Sequence, residues 1–586
     1  MDGCGFSVAG WSLGLWVGCP LSSQSHAPPH SRPFAEAPMS LPAFSMQAEL
    51  FSTAGLASSL FAPTDRYRLF AQLVYPALAA ARDQLEECYC ADNGRVAVEP
   101  VLMLGVSLLQ YLDGLPDRQA VEMLRCHAGW SFALNRQLGD ELFHPTTLVN
   151  FRQRLLAHDQ SALGFQTILD ALAAAGLVSR QSRQRLDSTQ MFGLVSRMSR
   201  LDCVRESLRL ALQELEASVG PEARPEFWLA LWERYVESQT DYRASSEVLG
   251  RKLVEAGTDT ARLLAWARVQ AQDPLAWGSQ LVLLARVFQE QFEMSGPEAA
   301  PKNKTELSSD RVQNPHDPEA TYAVKGEGQK KKEHVGYKVQ VAETVTQAEL
   351  APGEPTQNFL TGIVTHAAQQ SDAAGAEQMA VEQAAMGLDQ PPVQYVDGAY
   401  VSAEKLAAAQ AAGRSLIGPA AAAPHNNGGR YTTEDFDIQV EQRQAICPAG
   451  KASTQCSRLE EQATGKVSYR FEWSTHCADC PLRERCVGPE QPHRSLVVGE
   501  HHSALQARRR EQKTEAFAQA MKHRNGIEGT QSELVRAHGL RRARYRGLAK
   551  ARLQNYFAGA ACNVKRWIRR SVWELSQAAV SVPAVS

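Results

Sequence analysis

Three carboxylates stand where an acid could do chemistry. Asp187 follows "RQRL" and Asp397 follows "VQYV", each beside a short apolar stretch with the character of a strand. In α/β sheets, ligands gather outside the carboxyl ends of strands. Oxygen ligands placed there suit a hard divalent cation such as Mg²⁺. Two such ions about 3.5–4 Å apart activate a nucleophile and stabilise the leaving oxygen of a phosphodiester. Aspartates that merely cap turns are the ordinary alternative. The third acid, Glu528, lies in "HRNGIEGTQSELVRAHGLRRARYRG", residues 523–547. Arg524 and Glu528 stand at i, i+4 and share a helix face, which suits a plain helical salt bridge as well as a metal-binding acid beside a phosphate-binding arginine. Arg536 lies further along nearly the same side. Glu533 is the rival third acid, but five residues of helix turn its side chain well away from that of Glu528.

Five of the twelve cysteines fall between positions 447 and 486. Cys477 and Cys480 form a C-x₂-C knuckle, and Cys447 and Cys486 can complete a Cys₄ tetrahedron for structural Zn²⁺, with Cys456 and His476 as alternates and free thiols as the plain reading. Four thiolates leave no open position, so such a site braces rather than catalyses. A disulfide scaffold would be smaller and denser in cysteine, which favours a reduced, cytoplasmic protein. In "DPEATYAVKGEGQKKKEHVGYK", Asp317 and Glu319 are candidate extra acids and Lys325 and Lys338 candidate phosphate contacts, against a solvated loop leading into a strand.

These residues need elements to position them. The net charge is −3 over 586 residues, so the whole chain does not advertise a polyanionic partner. Yet Leu534 to Trp573 holds eleven Lys/Arg and no Asp or Glu, a local electrostatic footprint. No apolar run reaches the ~18 residues that span a bilayer. Residues 1–46 read as an unstructured leader or a start assigned too early, with Met39 or Met46 as the alternative start. Residues 47–180 read as a helical domain, with Arg152 and Arg154 on a helix that begins in Thr caps: either a DNA-binding domain or an all-helical scaffold with solvated arginines. Residues 181–200 hold the first strand and 201–335 a helical insertion and a polar linker. Residues 336–420 read strand, helix, strand, strand, an α/β core; 421–500 form a Cys-rich insertion, 501–575 basic helices carrying Glu528, and 576–586 a tail.

The order and spacing of several strings resemble one family. These are "GRVAVEPVLMLGVSLLQYLDGLPDRQAVE" with "WSFALN", then "LDSTQ", "NPHDPEATYAVK" with "VGYKVQVAET", "YVDGAYVS", and "GIEGTQSELVRAHGLRRARYRGLAKARLQ". Together, from about residue 50 to 570, they resemble the DDE transposases of bacterial insertion sequences, in the group numbered eleven eighty-two. The resemblance implies an RNase H-like catalytic domain with a helical N-terminal domain, a helical insertion and a Cys-rich insertion. It implies Asp187, Asp397 and Glu528 as a triad for Mg²⁺ or Mn²⁺, and Arg524 as the arginine of an R-x₃-E signature. Met521 and Val535 stand where that signature has Tyr and Lys, with Arg536 as a substitute for the latter. Arg524, Arg536, Arg541, Arg542, Arg544 and Arg546 become the expected DNA contacts. Cys447, Cys477, Cys480 and Cys486 become the expected zinc ligands. The expected partners are double-stranded DNA, as terminal inverted repeats and as target, and a second copy of the chain. The expected location is the cytoplasm, at the nucleoid. A metal nuclease that cuts without joining, and a DNA-binding remnant without catalysis, are the alternatives.

Overall fold

The computed structural model describes residues 41–42, 58–90, 96–137, 140, 142–238, 244–270, 277–326, 331–346, 350–423 and 429–581. The leader expected over 1–46 lies, apart from 41–42, outside the described residues.

In chain order, β1 (Gln184–Phe192) is followed by a hairpin, β2 (Phe292–Ser295) with β3 (Glu298–Pro301), and then by β4 (Thr321–Lys325), β5 (Lys332–Thr344), β6 (Leu360–Ala367), β7 (Val393–Tyr395) and β8 (Ser415–Ile417). β1 pairs antiparallel with β5 over its whole length, from Gln184↔Thr344 to Phe192↔Gly336, and parallel with β7 on its other edge. β8 extends the sheet parallel to β7, while β4 and β6 share the far edge of β5, both antiparallel. The order is therefore β6-β5-β1-β7-β8, three antiparallel strands and then two parallel ones. β5 is buried along most of its length because both faces of the sheet are covered. Its alternation divides the core. Tyr337, Val339 and Val341 join the helices of the N- and C-terminal parts, whereas Ala342 joins Leu186, Val364 and Met379 on the opposite face.

In the main sheet, two strands and a helix stand where none was expected, and the β2–β3 hairpin likewise lies in a stretch read as helix and linker. β4 lies in the stretch read as a linker. β6 lies in "FLTGIVTHA", whose mixture of Thr, Gly and His hides a fully buried strand. Between β7 and β8 runs a helix, Ala403–Ala411, capped by Ser402, whose hydroxyl accepts from the Lys405 N–H at 3.2 Å.

The N-terminal helices α1 (Pro100–Asp113), α2 (Asp117–Cys126), α3 (Thr146–Ala157) and α4 (Leu163–Ala174) do not form a separate core. They share one with the sheet and the last helix. Arg152 is buried against Asp117, and Arg154 stacks over Tyr89, so neither arginine of α3 is a free surface charge. The insertion after β1 is independent: α5 (Arg200–Ser218), α6 (Ser246–Gln270) and α7 (Ser279–Gln291) enclose their own apolar cluster with the β2–β3 hairpin. The Cys-rich insertion has β9 (Asp437–Gln439), β10 (Gln444–Ile446), β11 (Gln455–Glu460), β12 (Val467–Glu472) and β13 (Ser495–Gly499) around Phe436, Phe471 and Trp473.

The chain returns through α8 (His502–Glu511), α9 (Glu515–Ala537) and α10 (Leu548–Ser581). The basic stripe from Leu534 to Trp573 was expected to be a DNA-binding face, but α10 is largely a core helix. Phe557 stacks on Tyr111 at 5.6 Å, and Gly559 lets Phe165 and Ile363 approach its backbone. Buried Asn563 is satisfied by the sheet: it donates to the Leu360 carbonyl and accepts from the Leu360 N–H. Counting charge over a window obscures this, because the basic residues cluster at the two ends of the stripe.

α8 moors the Cys-rich insertion. Gln506 donates to the Phe436 carbonyl at 2.7 Å, and Arg509 to the Ala421 carbonyl at 2.8 Å. Beside them His502 is buried, and burial together with the Arg509 charge holds its pKa down to about 4. The folded chain therefore keeps His502 neutral while the unfolded chain protonates it below about 6.5. Stability is fully present above that value and is lost as pH falls towards 4, by about 2 kcal/mol at pH 5. The urea midpoint should fall between pH 7 and pH 5 in the parent and fall less in His502→Gln; equal slopes would disprove this assignment.

Candidate active site

β1 fixes Asp187, opposite Val341 in register, and α9 lies across β1. Their approach needs Gly526, because a methyl group there would overlap the Arg185 guanidinium. Arg185 donates to the His523 carbonyl at 2.9 Å and Gln531 to the Ser188 carbonyl at 3.2 Å, so strand and helix are stitched on both sides of the acid. α9 also reaches β7, where the His523 ring lies 5.3 Å from that of Tyr395.

Arg524 links the first and third acids. Its guanidinium donates to Asp187 Oδ2 at 2.8 Å and to Glu528 Oε1 at 3.0 Å. The i, i+4 salt bridge expected from the sequence is thus present, and the same guanidinium also reaches Asp187. Asp397 follows β7 and caps the turn Gly398–Tyr400, its Oδ1 accepting from the Ala399 N–H at 2.9 Å. Burial raises the Asp187 carboxyl above its usual range; Arg524 and the Ser188 N–H pull it down, and the Asp397 charge pushes it up again. Glu528 has 68% of its side chain exposed, against 11% for Asp187.

Asp397 lies near enough to Asp187 for its charge to act there, and the three carboxylates are not drawn together into one cluster. Among the described residues, the one set of three ligand-type side chains within 4.8 Å of one another is Glu533, His538 and Cys562. The donor set of Asp187, Asp397 and Glu528 nevertheless fits a hard divalent cation, being oxygen only. The Arg524 guanidinium already shows that positive charge is favoured between two of them.

Beneath this site lies a buried network that sequence reasoning missed. Glu343 of β5 is fully buried and accepts from Arg185 at 2.5 Å, from Arg566 at 2.8 Å and from the Thr530 hydroxyl at 2.7 and 2.8 Å. Arg566 also donates to Glu533 at 3.0 Å. Glu533 therefore belongs to the packing of α9 on α10, with Lys565 as a further partner at 3.1 Å. The available signal was a glutamate closing an otherwise buried strand.

The arginines between Arg536 and Arg546 divide. Arg536, Arg542 and Arg546 are exposed, and Arg541, also exposed, donates to the Gln190 carbonyl at 3.2 Å. Arg544 is engaged internally, donating to the Leu115 carbonyl at 3.2 Å and lying over the Tyr111 ring. Asp317 and Glu319 serve the fold: Asp317 accepts from the Tyr337 hydroxyl and the Gly547 N–H, and Glu319 from the Leu548 N–H, at the positive end of α10. Lys338 donates to the Gln370 carbonyl at 2.7 Å, whereas Lys325 is exposed and near enough to lower the Asp187 carboxyl.

Cys447, Cys477, Cys480 and Cys486, with His476, line one cavity of about 20 Å³ in the Cys-rich insertion; Cys456 does not. Burial pushes the Cys486 thiol up to about 11, and the other three sulfurs add to that. No three of the sulfurs lie within 4.8 Å of one another, so a tetrahedral shell with Zn–S of about 2.3 Å requires the cavity to contract. All the described cysteines are free thiols.

No helix among the described residues is long and apolar enough to cross a membrane. No curated protein matches the chain, and no solved structure does. Two family models match: "Transposase DDE domain" over residues 446–568, and "Transposase domain (DUF772)" over residues 57–154. The first spans the cysteine cavity, Glu528 and most of α10; the second spans α1, α2 and most of α3. Residues 155–445, with Asp187 and Asp397, lie outside both. Both matches support a DDE transposase of the insertion-sequence type.

Proposed function

We propose that this transposase cleaves DNA at the ends of an insertion sequence and joins the freed 3′ ends to target DNA, with Asp187, Asp397 and Glu528 as its acids. The observation that carries this is the bridge from Asp187 through Arg524 to Glu528, at the strand whose parallel neighbour is followed by Asp397. The strand order, three antiparallel then two parallel, supports an RNase H-like reading of the sheet. Mg²⁺ or Mn²⁺ held by the three acids would supply a nucleophile at neutral pH and charge stabilisation at the departing oxygen. The chain's own part is to hold those acids in place. Asp397 commits Oδ1 to the Ala399 N–H and keeps Oδ2 for a ligand. Arg524 holds Glu528 to Asp187, and its planar fork suits a phosphate as well as a carboxylate. The exposed Arg536, Arg541, Arg542 and Arg546 supply phosphate contacts whose affinity falls with salt. Zinc at Cys447, Cys477, Cys480 and Cys486 would stiffen the insertion moored by α8. Two element ends must meet, so a dimer is the working assembly.

The test is incubation of the purified full chain with Mg²⁺, a fragment carrying the inverted repeats that flank its reading frame, and a plasmid target. Joined product is expected. Cleavage without joining supports the nuclease alternative, and binding without cleavage the catalytically decayed remnant.

A further inference from the structure

We propose that Glu533, His538 and Cys562 form a second metal site, for Zn²⁺, which locks the end of α9 to α10. It is separate from both the three acids and the cysteine cavity. Their ligand atoms, a carboxylate oxygen, an imidazole nitrogen and a thiol sulfur, lie within 4.8 Å of one another. Glu533 and His538 come from the end of α9, where Gly539 at φ +71° ends the helix, and Cys562 from the middle of α10.

The second observation is the state of the histidine. His538 is 1% exposed, with Nδ1 3.3 Å from the Tyr111 carbonyl and Nε2 buried without any hydrogen-bond partner. A carbonyl can only accept, so Nδ1 carries the proton and Nε2 keeps a lone pair with no hydrogen bond to take it. This is how a metal-ligating histidine is commonly oriented, with one nitrogen held by a backbone carbonyl and the other on the metal. A buried polar atom left unpaired destabilises the fold, and a metal ion there would satisfy it. Glu533 Oε1 likewise accepts no hydrogen bond of normal geometry, although the Lys565 ammonium lies 3.1 Å away. Cys562 is fully buried and cannot be an exposed reactive thiol.

Carboxylate, imidazole and thiolate are all zinc ligands, at about 2.0–2.3 Å. Such a shell needs its atoms roughly 3.5 Å apart, so the side chains must move inward slightly. With the Cys562 proton lost to solvent, one carboxylate and one thiolate match the charge of Zn²⁺; Arg566 then shares Glu343 with Arg185, and Lys565, 28% exposed, turns outward.

The experiment is diffraction at the zinc edge from crystals of the full chain grown with Zn²⁺, with metal content measured on Cys477→Ser/Cys480→Ser protein, which lacks the knuckle. An anomalous peak between Glu533, His538 and Cys562 is expected. So is about one zinc per knuckle-deficient chain, reduced at least tenfold by adding His538→Gln or, independently, Cys562→Ala. Absence of that peak, whether or not one appears at the cysteine cavity, overturns the proposal. So does zinc content that neither added substitution changes.

Discussion

Glu528→Gln protein is expected to bind terminal DNA as tightly as the parent and to cleave it on the order of a thousandfold more slowly, the several kcal/mol that a metal-held transition state supplies. The substitution keeps the shape and the helix and removes only the charge. Glu528 is largely exposed and pairs with Arg524 on its own helix, so no packing depends on it. Cleavage of a labelled end reports the chemistry, and fluorescence anisotropy of the same fragment reports binding. Cleavage within tenfold of the parent would remove Glu528 from the acids. Glu533→Gln gives the contrasting outcome: Glu533 sits among Arg566, Lys565 and Arg569, so its loss should appear as instability.

The largest effect on stability is expected at Glu343→Gln, at about 3–5 kcal/mol. Glu343 is fully buried and answers two guanidinium groups, of which Arg185 is 10% and Arg566 4% exposed. A neutral amide leaves that charge uncompensated where water cannot reach it. Because Arg185 also holds the His523 carbonyl and Thr530 lies on α9, loosening the network should release the helix that carries Glu528. The urea midpoint of the core should drop, and hydrogen exchange should show lost protection across Glu515–Ala537. A loss below about 1 kcal/mol, with α9 still protected, would show that the network is incidental.

The parts of the fold that were legible in the sequence are those written in local pattern. β5 alternates, and Asp397 follows a short strand directly. Arg524 and Glu528 share a face by helical spacing alone. What stayed hidden depends on distant partners. Glu343 meets its ligands across separations of 158, 187 and 223 residues, so nothing nearby in sequence marks it as buried. Asp317 and Glu319 sit beside a lysine-rich run yet serve a helix terminus about 230 residues away. The apolar middle of α10 is interrupted by Gln554, Asn555 and Asn563, which look like surface residues until their buried hydrogen-bond partners are known.

The position of α10 has a consequence for how the protein is made. The first helices of the chain bury themselves against its last one, as Tyr111 does against Phe557. During synthesis, α1 to α4 emerge long before that surface exists, so their apolar faces must wait for some four hundred further residues. Contacts of such separation fold slowly and leave early segments open to aggregation or to chaperones. A copy of the gene truncated before α10 would therefore yield no stable amino-terminal fragment to occupy the element's ends. Decayed copies of this element would fall silent rather than compete with intact ones.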